Sequence, residues 1–302
     1  MTDIIIVGAG TAGLTAAIYA LRAGKSVLLF EGVAVGGQIV NTPDIENYPG
    51  IAHTSGFEFA NGLLEQAKSF GAELKYEAVK ELIDEGAVKR VKTGSGEYEA
   101  KAVILATGAK NRPLGLEREQ ELVGRGISYC ATCDGMFYRG KDVAVAGGGN
   151  TALEDAQFLS NYCSKVYLIH RRDAFRGDEK NVAMLKEKTN VEFVLNANVT
   201  AVTGEQKVEG VEVTDKFSGE KRLLAVAGLF IAVGQMPANE AFSRIVTLDE
   251  KGYIAAGEDC ETGAAGIFTA GDCRTKEVRQ LTTAAADGAV AGLAACKYID
   301  AQ

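Results

Sequence analysis

Two glycine-rich turns, each closing a short apolar strand and opening a helix, predict an α/β protein built on a duplicated nucleotide-binding unit. The first turn is Gly8-Ala9-Gly10-Thr11-Ala12-Gly13 and the second Gly147-Gly148-Gly149-Asn150-Thr151-Ala152. Glu31 follows Gly8 by 23 positions, and His170 follows Gly147 by the same 23. Between the copies lies Cys130-Ala131-Thr132-Cys133-Asp134, two thiols able to close a small ring beside a carboxyl group that can handle a proton. A redox pair between two dinucleotide sites is a short electron-transfer chain.

A chain of 302 residues suits two domains or one discontinuous pair. An apolar fraction of 47% with 24% charged residues excludes global disorder. Forty acidic residues against 32 basic give −8, which argues against a nucleic-acid partner. Thirty-six glycines against four prolines suit tight turns and close backbone–ligand approach better than flexible linkers. The longest apolar run, near 228–233, falls far short of the roughly 20 residues of a membrane span. The chain enters a strand at once through Asp3-Ile4-Ile5-Ile6-Val7, so the expectation is a cytoplasmic protein with no export signal and no membrane segment. A lone Cys-x-x-Cys in such a protein reads as redox or metal.

Taken in order, residues 4–7 form a buried strand, 14–23 a helix and 26–30 a second strand ending on Glu31. Glycine-x-glycine-x-x-glycine means little by itself. Here strand, helix and a following acid supply the dinucleotide context, with the helix N-terminus facing a pyrophosphate and Glu31 facing ribose hydroxyls. Gly36-Gly37-Gln38-Ile39 and Glu46-Asn47-Tyr48-Pro49-Gly50 do not read as regular structure. An amphipathic helix over 57–70 precedes a meander of short polar strands over 74–91. A buried strand over 102–106 ends in Thr107-Gly108, and Arg112-Pro113 marks a domain exit.

The second copy has a strand over 142–146, a helix over 153–161 and a strand over 165–169. His170-Arg171-Arg172 stands where the first copy has Glu31, with Arg176 close behind. Guanidinium groups in place of the ribose acid accept a 2′-phosphate, so the second nucleotide is expected to be NADPH rather than NADH, the alternative being a bland basic surface turn. A strand over 229–233 ends in Gly234-Gln235-Met236-Pro237, the second crossing between domains. A strand over 266–270 ends in Gly271-Asp272, and a small-residue helix over 281–298 aims its N-terminus at whatever Asp272 touches, where a negative, reduced flavin is favoured.

Zinc is the rival for Cys130 and Cys133, but it wants four ligands, usually in two close pairs. Cys163, Cys260, Cys273 and Cys296 are scattered, and the histidines are only His53 and His170. Two inert buried thiols are the other alternative, and they leave Asp134 unexplained. With His170 committed to the nucleotide region, Asp134 is the nearest acid for a leaving thiolate if burial raises its pKa. The bland alternative is a surface Asp in the turn before Gly135.

GAGTAG, GGQI, ENYPG, CATCDG, GGGNTA, HRRDAFR and the AGD with RQ near the end resemble, over essentially the whole length, the low-molecular-weight (bacterial-type) thioredoxin reductases, class II of the pyridine nucleotide-disulfide oxidoreductases. The resemblance implies two Rossmann-like domains of three-layer ββα type, with the NADPH domain (113–238) inserted into an FAD domain made of 1–112 and 239–302. It implies that Gly8, Gly10, Thr11, Ala12, Gly13, Glu31, Gly37, Gln38, Asn47, Thr107, Gly108, Gly271, Asp272, Arg279 and Gln280 hold FAD. Arg171, Arg172 and Arg176 would clamp the NADPH 2′-phosphate, near His170, with Gly147, Gly149, Asn150 and Thr151 at the pyrophosphate. Cys130 would attack the protein substrate, Cys133 face the flavin and Asp134 act as acid/base. Gly177 where alanine is frequent, and Asp155 where a second glutamate is commoner, are small departures.

The implied activity is NADPH-dependent reduction of thioredoxin by a homodimer with non-covalent FAD. Because nicotinamide and disulfide belong to one domain yet must meet one flavin in turn, that domain is expected to rotate about crossings near 112–115 and 237–240. The alternatives are a related flavin disulfide reductase with another protein partner, a redox sensor that binds nucleotide without turnover, and a thiol oxidase that ignores NADPH.

Overall fold

The first strand, Thr2–Val7, is the axis of a seven-stranded sheet in the computed structural model, which describes residues 1–302 apart from Pro43 and the side chain of Asn41. Its last four residues are apolar and buried because both faces are covered. Ile4 and Ile6 pack with Leu14, Ala16 and Ala17 of the helix Thr11–Arg22 and with Ala291 and Ala295 of the helix Leu281–Asp300. Ile5 and Val7 pack with Leu82 and Val91 of a hairpin, and with Phe242 and Val246. Helices, sheet and hairpin therefore make three layers.

Strand order in this sheet is 73–75, 27–30, 2–7, 97–105, 88–92 and 81–85. Glu97–Leu105 is longer than the 102–106 expected, because its polar first half pairs antiparallel with Val88–Lys92 while Val103–Leu105 pairs parallel with Ile267–Thr269. The expected polar meander over 74–91 is corrected at its start. Glu73–Lys75 is a parallel strand beside Val27–Phe30, too short for its pattern to show, and only Glu81–Glu85 and Val88–Lys92 form a hairpin. The amphipathic helix is Gly56–Ser69, started by a capping box in which Ser55 and Glu58 bond reciprocally. The last helix needs small residues for close approach: a Cβ at Gly288 would lie 2.3 Å from the Ala12 carbonyl oxygen, and one at Gly292 2.8 Å from that of Ala16.

The second unit repeats this plan. Five parallel strands run in the order Val191–Leu195, Lys165–His170, Asp142–Gly147, Gly228–Ala232 and Ile127–Ser128. Val143 and Val145 face the helix Asn150–Ser160 through Leu153, Ala156 and Leu159. Ala144 and Ala146 face an antiparallel three-stranded sheet (Ala197–Thr203, Gly210–Asp215 and Lys221–Leu224) through Val211, Val213 and Leu224. That sheet, the strand Val191–Leu195 and the helix Glu179–Lys186 are not among the elements expected from sequence, because each is too short for its pattern to show.

Compact packing divides the chain into Met1–Lys110 with Met236–Gln302, and Asn111–Gln235. The strands Ala109–Asn111 and Gln235–Pro237, one on each crossing, pair with each other.

Candidate active site

The three glycines of the first turn do different work. Gly8 has φ +106°, and a Cβ there would sit 2.3 Å from the Ala106 carbonyl oxygen at the end of the neighbouring strand. A Cβ at Gly13 would fall 1.9 Å from the Gly8 carbonyl oxygen, so this glycine lets the helix close on its own turn. Gly10 faces open space, with only the Gly36 carbonyl oxygen at 3.7 Å. The Thr11–Arg22 helix has Gly10 as N-cap and no side-chain cap bond, leaving its first N–H groups directed outward. Fixed turn, tight packing and an open middle position suit a diphosphate.

Glu31 lies at the end of Val27–Phe30 and accepts from the N–H of Ala9 (2.9 Å), Val33 (2.8 Å) and Ala34 (3.2 Å), tying the acid to the glycine turn. The 36–41 segment is corrected from irregular loop to a 3₁₀ turn over Gly37–Asn41, led in by Gly36 at φ +96°. Its start is pinned by a 2.7 Å bond from the Gly36 N–H to the Ala9 carbonyl, a contact with no local sequence signal. Gln38 bonds the Ala109 carbonyl, and Asn47 Nδ2 approaches Gln280 Oε1 at 3.3 Å.

The Gly271-Asp272 turn is brought onto the first glycine turn: a Cβ at Gly271 would lie 2.8 Å from Ala12 Cβ. Asp272 Oδ1 is buried without a hydrogen-bond partner, an acceptor waiting for a ligand hydroxyl. Burial pushes this carboxyl up, opposed by Lys276 and Arg279. Arg279 stacks over Tyr253 at 4.2 Å from the ring centre. These residues fit a dinucleotide with ribityl or ribose hydroxyls, as FAD has.

Sequence reasoning missed two supports of this site. Asn239 is fully buried, accepts from Thr107 Oγ1 at 2.8 Å and donates to the Gly252 and Cys273 carbonyls, both at 2.9 Å. Asp287, on the last helix, accepts from the Gly271 N–H (2.9 Å), from Arg274 through Nε and Nη2 (both 2.8 Å), and from Lys276 Nζ (2.9 Å). Neither residue stands in a motif; Asn239 joins segments far apart in sequence, and Asp287 ties the last helix to the turn that precedes it.

In the second unit Cys130 and Cys133 form a disulfide, with sulfurs 2.08 Å apart and Cα atoms 5.3 Å apart. Cys130 caps the short helix Ala131–Asp134, and both cysteines are half-buried. Asp134 is held by Ser128, whose Oγ donates to Oδ2 at 2.6 Å and accepts from the Cys130 N–H at 3.1 Å. Ser128, buried at the end of Ile127–Ser128, was not singled out from sequence, although its place two residues before the first cysteine is a usable signal. Tyr129 donates to Glu119 at 2.6 Å, and the buried Glu119 carboxylate also gathers the N–H groups of Leu114, Gly115 and Leu116. Gly135 lets the redox helix pack closely, since a Cβ there would meet Tyr162 Oη at 2.4 Å. Cys163, Cys260, Cys273 and Cys296 are buried free thiols. Among the described residues no group of three or more His, Cys, Asp or Glu side chains is placed to hold a metal.

The second glycine turn repeats the division of labour. A Cβ at Gly147 would lie 2.4 Å from the Ala232 carbonyl oxygen, while Gly149 has nothing within 4 Å. The helix Asn150–Ser160 again lacks a side-chain cap bond, and Asn150 and Thr151 are exposed at its start. Arg171, Arg172 and Arg176 are exposed just past the strand Lys165–His170. His170 is different: its ring is buried beneath Gly148, stacked on Phe175, with Nε2 unpartnered. Burial, aided by the three arginines, depresses its basicity, so it supports the turn as a neutral ring.

No described helix is long and apolar enough to cross a membrane. The family described as pyridine nucleotide-disulphide oxidoreductase matches residues 2–288. The thioredoxin reductase of Listeria monocytogenes is 43% identical over 301 residues, covering 99% of this chain and 94% of its own. The crystal structure of thioredoxin reductase from Streptococcus pyogenes superposes with a TM-score of 0.95 at 40% identity, covering 100% of this chain and 99% of that one. That of Lactococcus lactis, described as an FR conformation, superposes at 0.69 with 37% identity and complete coverage of both chains. With its paired nucleotide cradles and Cys-x-x-Cys disulfide, the chain belongs to the pyridine nucleotide-disulphide oxidoreductase family, among the thioredoxin reductases.

Proposed function

We propose that this protein is an NADPH-dependent thioredoxin-disulfide reductase, carried by one observation above the rest: a Cys130–Cys133 disulfide whose neighbour Asp134 is held in place by Ser128. The unit Met1–Lys110 with Met236–Gln302 holds FAD, and Asn111–Gln235 holds NADPH. FAD, when bound, relays the two electrons of a hydride from NADPH to the disulfide. Once reduced, the Cys130 thiolate attacks a sulfur of the thioredoxin disulfide, forming a mixed disulfide and releasing one thioredoxin thiolate. Cys133 then attacks Cys130 Sγ, which reforms the ring and expels the second thiolate. Asp134, oriented by Ser128, takes and returns the proton these steps require. The protein acts in the cytoplasm as a homodimer.

Purified enzyme with NADPH should oxidise it only when thioredoxin is present, and NADH should be a poor substitute. NADPH consumption that thioredoxin does not stimulate would overturn the assignment. Removing Arg171 and Arg172 together by alanine should raise KM for NADPH roughly 10- to 100-fold, as expected for lost charge-assisted bonds, and leave KM for NADH nearly unchanged. Steady-state kinetics with both nucleotides check this.

Solved relatives of similar identity superpose on this chain with TM-scores as different as 0.95 and 0.69, the lower one an FR conformation. That spread supports rotation of the NADPH unit between half-reactions. A cross-link engineered between the units should reduce thioredoxin-dependent turnover at least about tenfold, restored on cleaving the link. Undiminished turnover would exclude rotation.

A further inference from the structure

Tyr253 lies outside the motifs read from the sequence, yet its ring, 7% exposed, sits under the guanidinium of Arg279, whose Cζ is 4.2 Å from the ring centre. The hydrogen bonds of that guanidinium are long: Nε donates to the Asp272 carbonyl at 3.4 Å and Nη2 to the Arg274 carbonyl at 3.3 Å. A cation over a phenol is drawn to the negative face of the ring, and more strongly where water is partly excluded. The stack is therefore the main restraint on where this charge sits.

The ring has anchors of its own. The Tyr253 N–H donates to Asp249 Oδ1 and the Tyr253 carbonyl accepts from the Asp249 N–H, both at 2.8 Å. Beside it, the Ile254 N–H donates to the Cys273 carbonyl and the Ile254 carbonyl accepts from the Thr275 N–H, both at 2.9 Å. Tyr253 is thus stitched to the segment that carries Asp272, and the two cannot shift independently. Burial pushes the Asp272 carboxyl up, and the opposing charges are those of Lys276 and Arg279. Lys276 is already bonded to Asp287 at 2.9 Å, so Arg279 is the charge whose place depends on the ring.

We propose that Tyr253 is a positioning residue for FAD: its ring is the platform that fixes the Arg279 guanidinium beside Asp272, so that the carboxylate keeps a counter-charge while it accepts a hydroxyl of the bound dinucleotide. This rests on the reading that Asp272 and Arg279 serve FAD, and it adds the residue through which that pair is held in register. Without the platform, the long Arg279 side chain is ordered only when FAD binds, and that ordering weakens affinity.

The test follows FAD release from the purified holoenzyme on serial dilution, read as free flavin fluorescence, for the wild type, Tyr253→Phe, Tyr253→Leu, Arg279→Ala and the double variant Tyr253→Leu with Arg279→Ala. Thermal melts run alongside. Tyr253→Leu should raise Kd for FAD about 3- to 10-fold, the size of one partly desolvated cation–π contact. Tyr253→Phe keeps the ring face and should stay within about twofold of the wild type. The double variant should be no weaker than Arg279→Ala, because ring and cation act as one unit. A ring that serves only as packing gives a different pattern: Tyr253→Leu then weakens FAD by the same factor with or without Arg279. That pattern, an equal loss in Tyr253→Phe and Tyr253→Leu, or wild-type affinity in Tyr253→Leu would each overturn the platform. Tyr253→Met, which fills the space without a ring, replaces the leucine variant if that one does not fold. If Arg279→Ala leaves FAD affinity unchanged, the reading of Arg279 as an FAD contact fails and the platform with it; if it weakens FAD while Tyr253→Leu does not, the platform alone fails.

Discussion

Cys133→Ser should lower thioredoxin-dependent NADPH oxidation by about a thousandfold or more, while the protein stays yellow and NADPH still bleaches it in a single turnover. The reason is electron accounting. Two electrons must leave as a dithiol, and a serine at 133 leaves Cys130 able to form a mixed disulfide but nothing to resolve it. No other cysteine can substitute: Cys163, Cys260, Cys273 and Cys296 are all buried, and burial pushes the Cys163 thiol up to about 11 and the Cys260 thiol up to about 12. A trapped adduct between Cys130 and thioredoxin, visible on non-reducing gels, should accompany the loss. Turnover within tenfold of wild type would show that the disulfide is structural.

Asp287→Ala should carry the largest cost in stability, about 3–5 kcal/mol, the range for removing one member of a buried ion pair. Arg274 is 1% exposed and Lys276 side-chain exposure is 5%, so the substitution takes the buried counterion from both cations and leaves Arg274 only the exposed Glu258. It also frees the Gly271 N–H, and with it the turn that presents Asp272. The expected result is a melting temperature lower by roughly 10 °C and a preparation depleted in FAD, read from thermal melts and from the ratio of flavin to protein absorbance. Asp287→Asn, which keeps an acceptor but no charge, should lie between. Burial alone would raise the Asp287 pKa, but bonds from Arg274 and Lys276 outweigh it and hold the value below 3.8. The contribution is therefore complete above the unfolded value of 3.8 and is lost as pH falls through the lower folded one. A melting temperature that does not drop in the alanine variant would show that the network is not structural.

The sequence by itself determined what depends on neighbours along the chain. Two strand–turn–helix units were legible because a buried parallel strand is a continuous apolar run, and because a sharp turn beside a phosphate admits only glycine. The redox pair and the arginines were legible as short motifs with their own chemistry. Contacts between distant segments were not. Three consecutive glycines in Gly147–Gly149 look alike in sequence, yet one packs against a strand end, one lies over His170 and one faces open space. His170 reads as part of a basic cluster, and only packing shows it as a buried neutral ring. Asn239 and Asp287 have no periodicity or spacing that marks them, because each takes its role from partners that the fold brings alongside, whereas Ser128 is marked only by its place two residues before Cys130. A local pattern records which element forms; which buried polar groups must then satisfy one another is settled only when sheets and helices close around them.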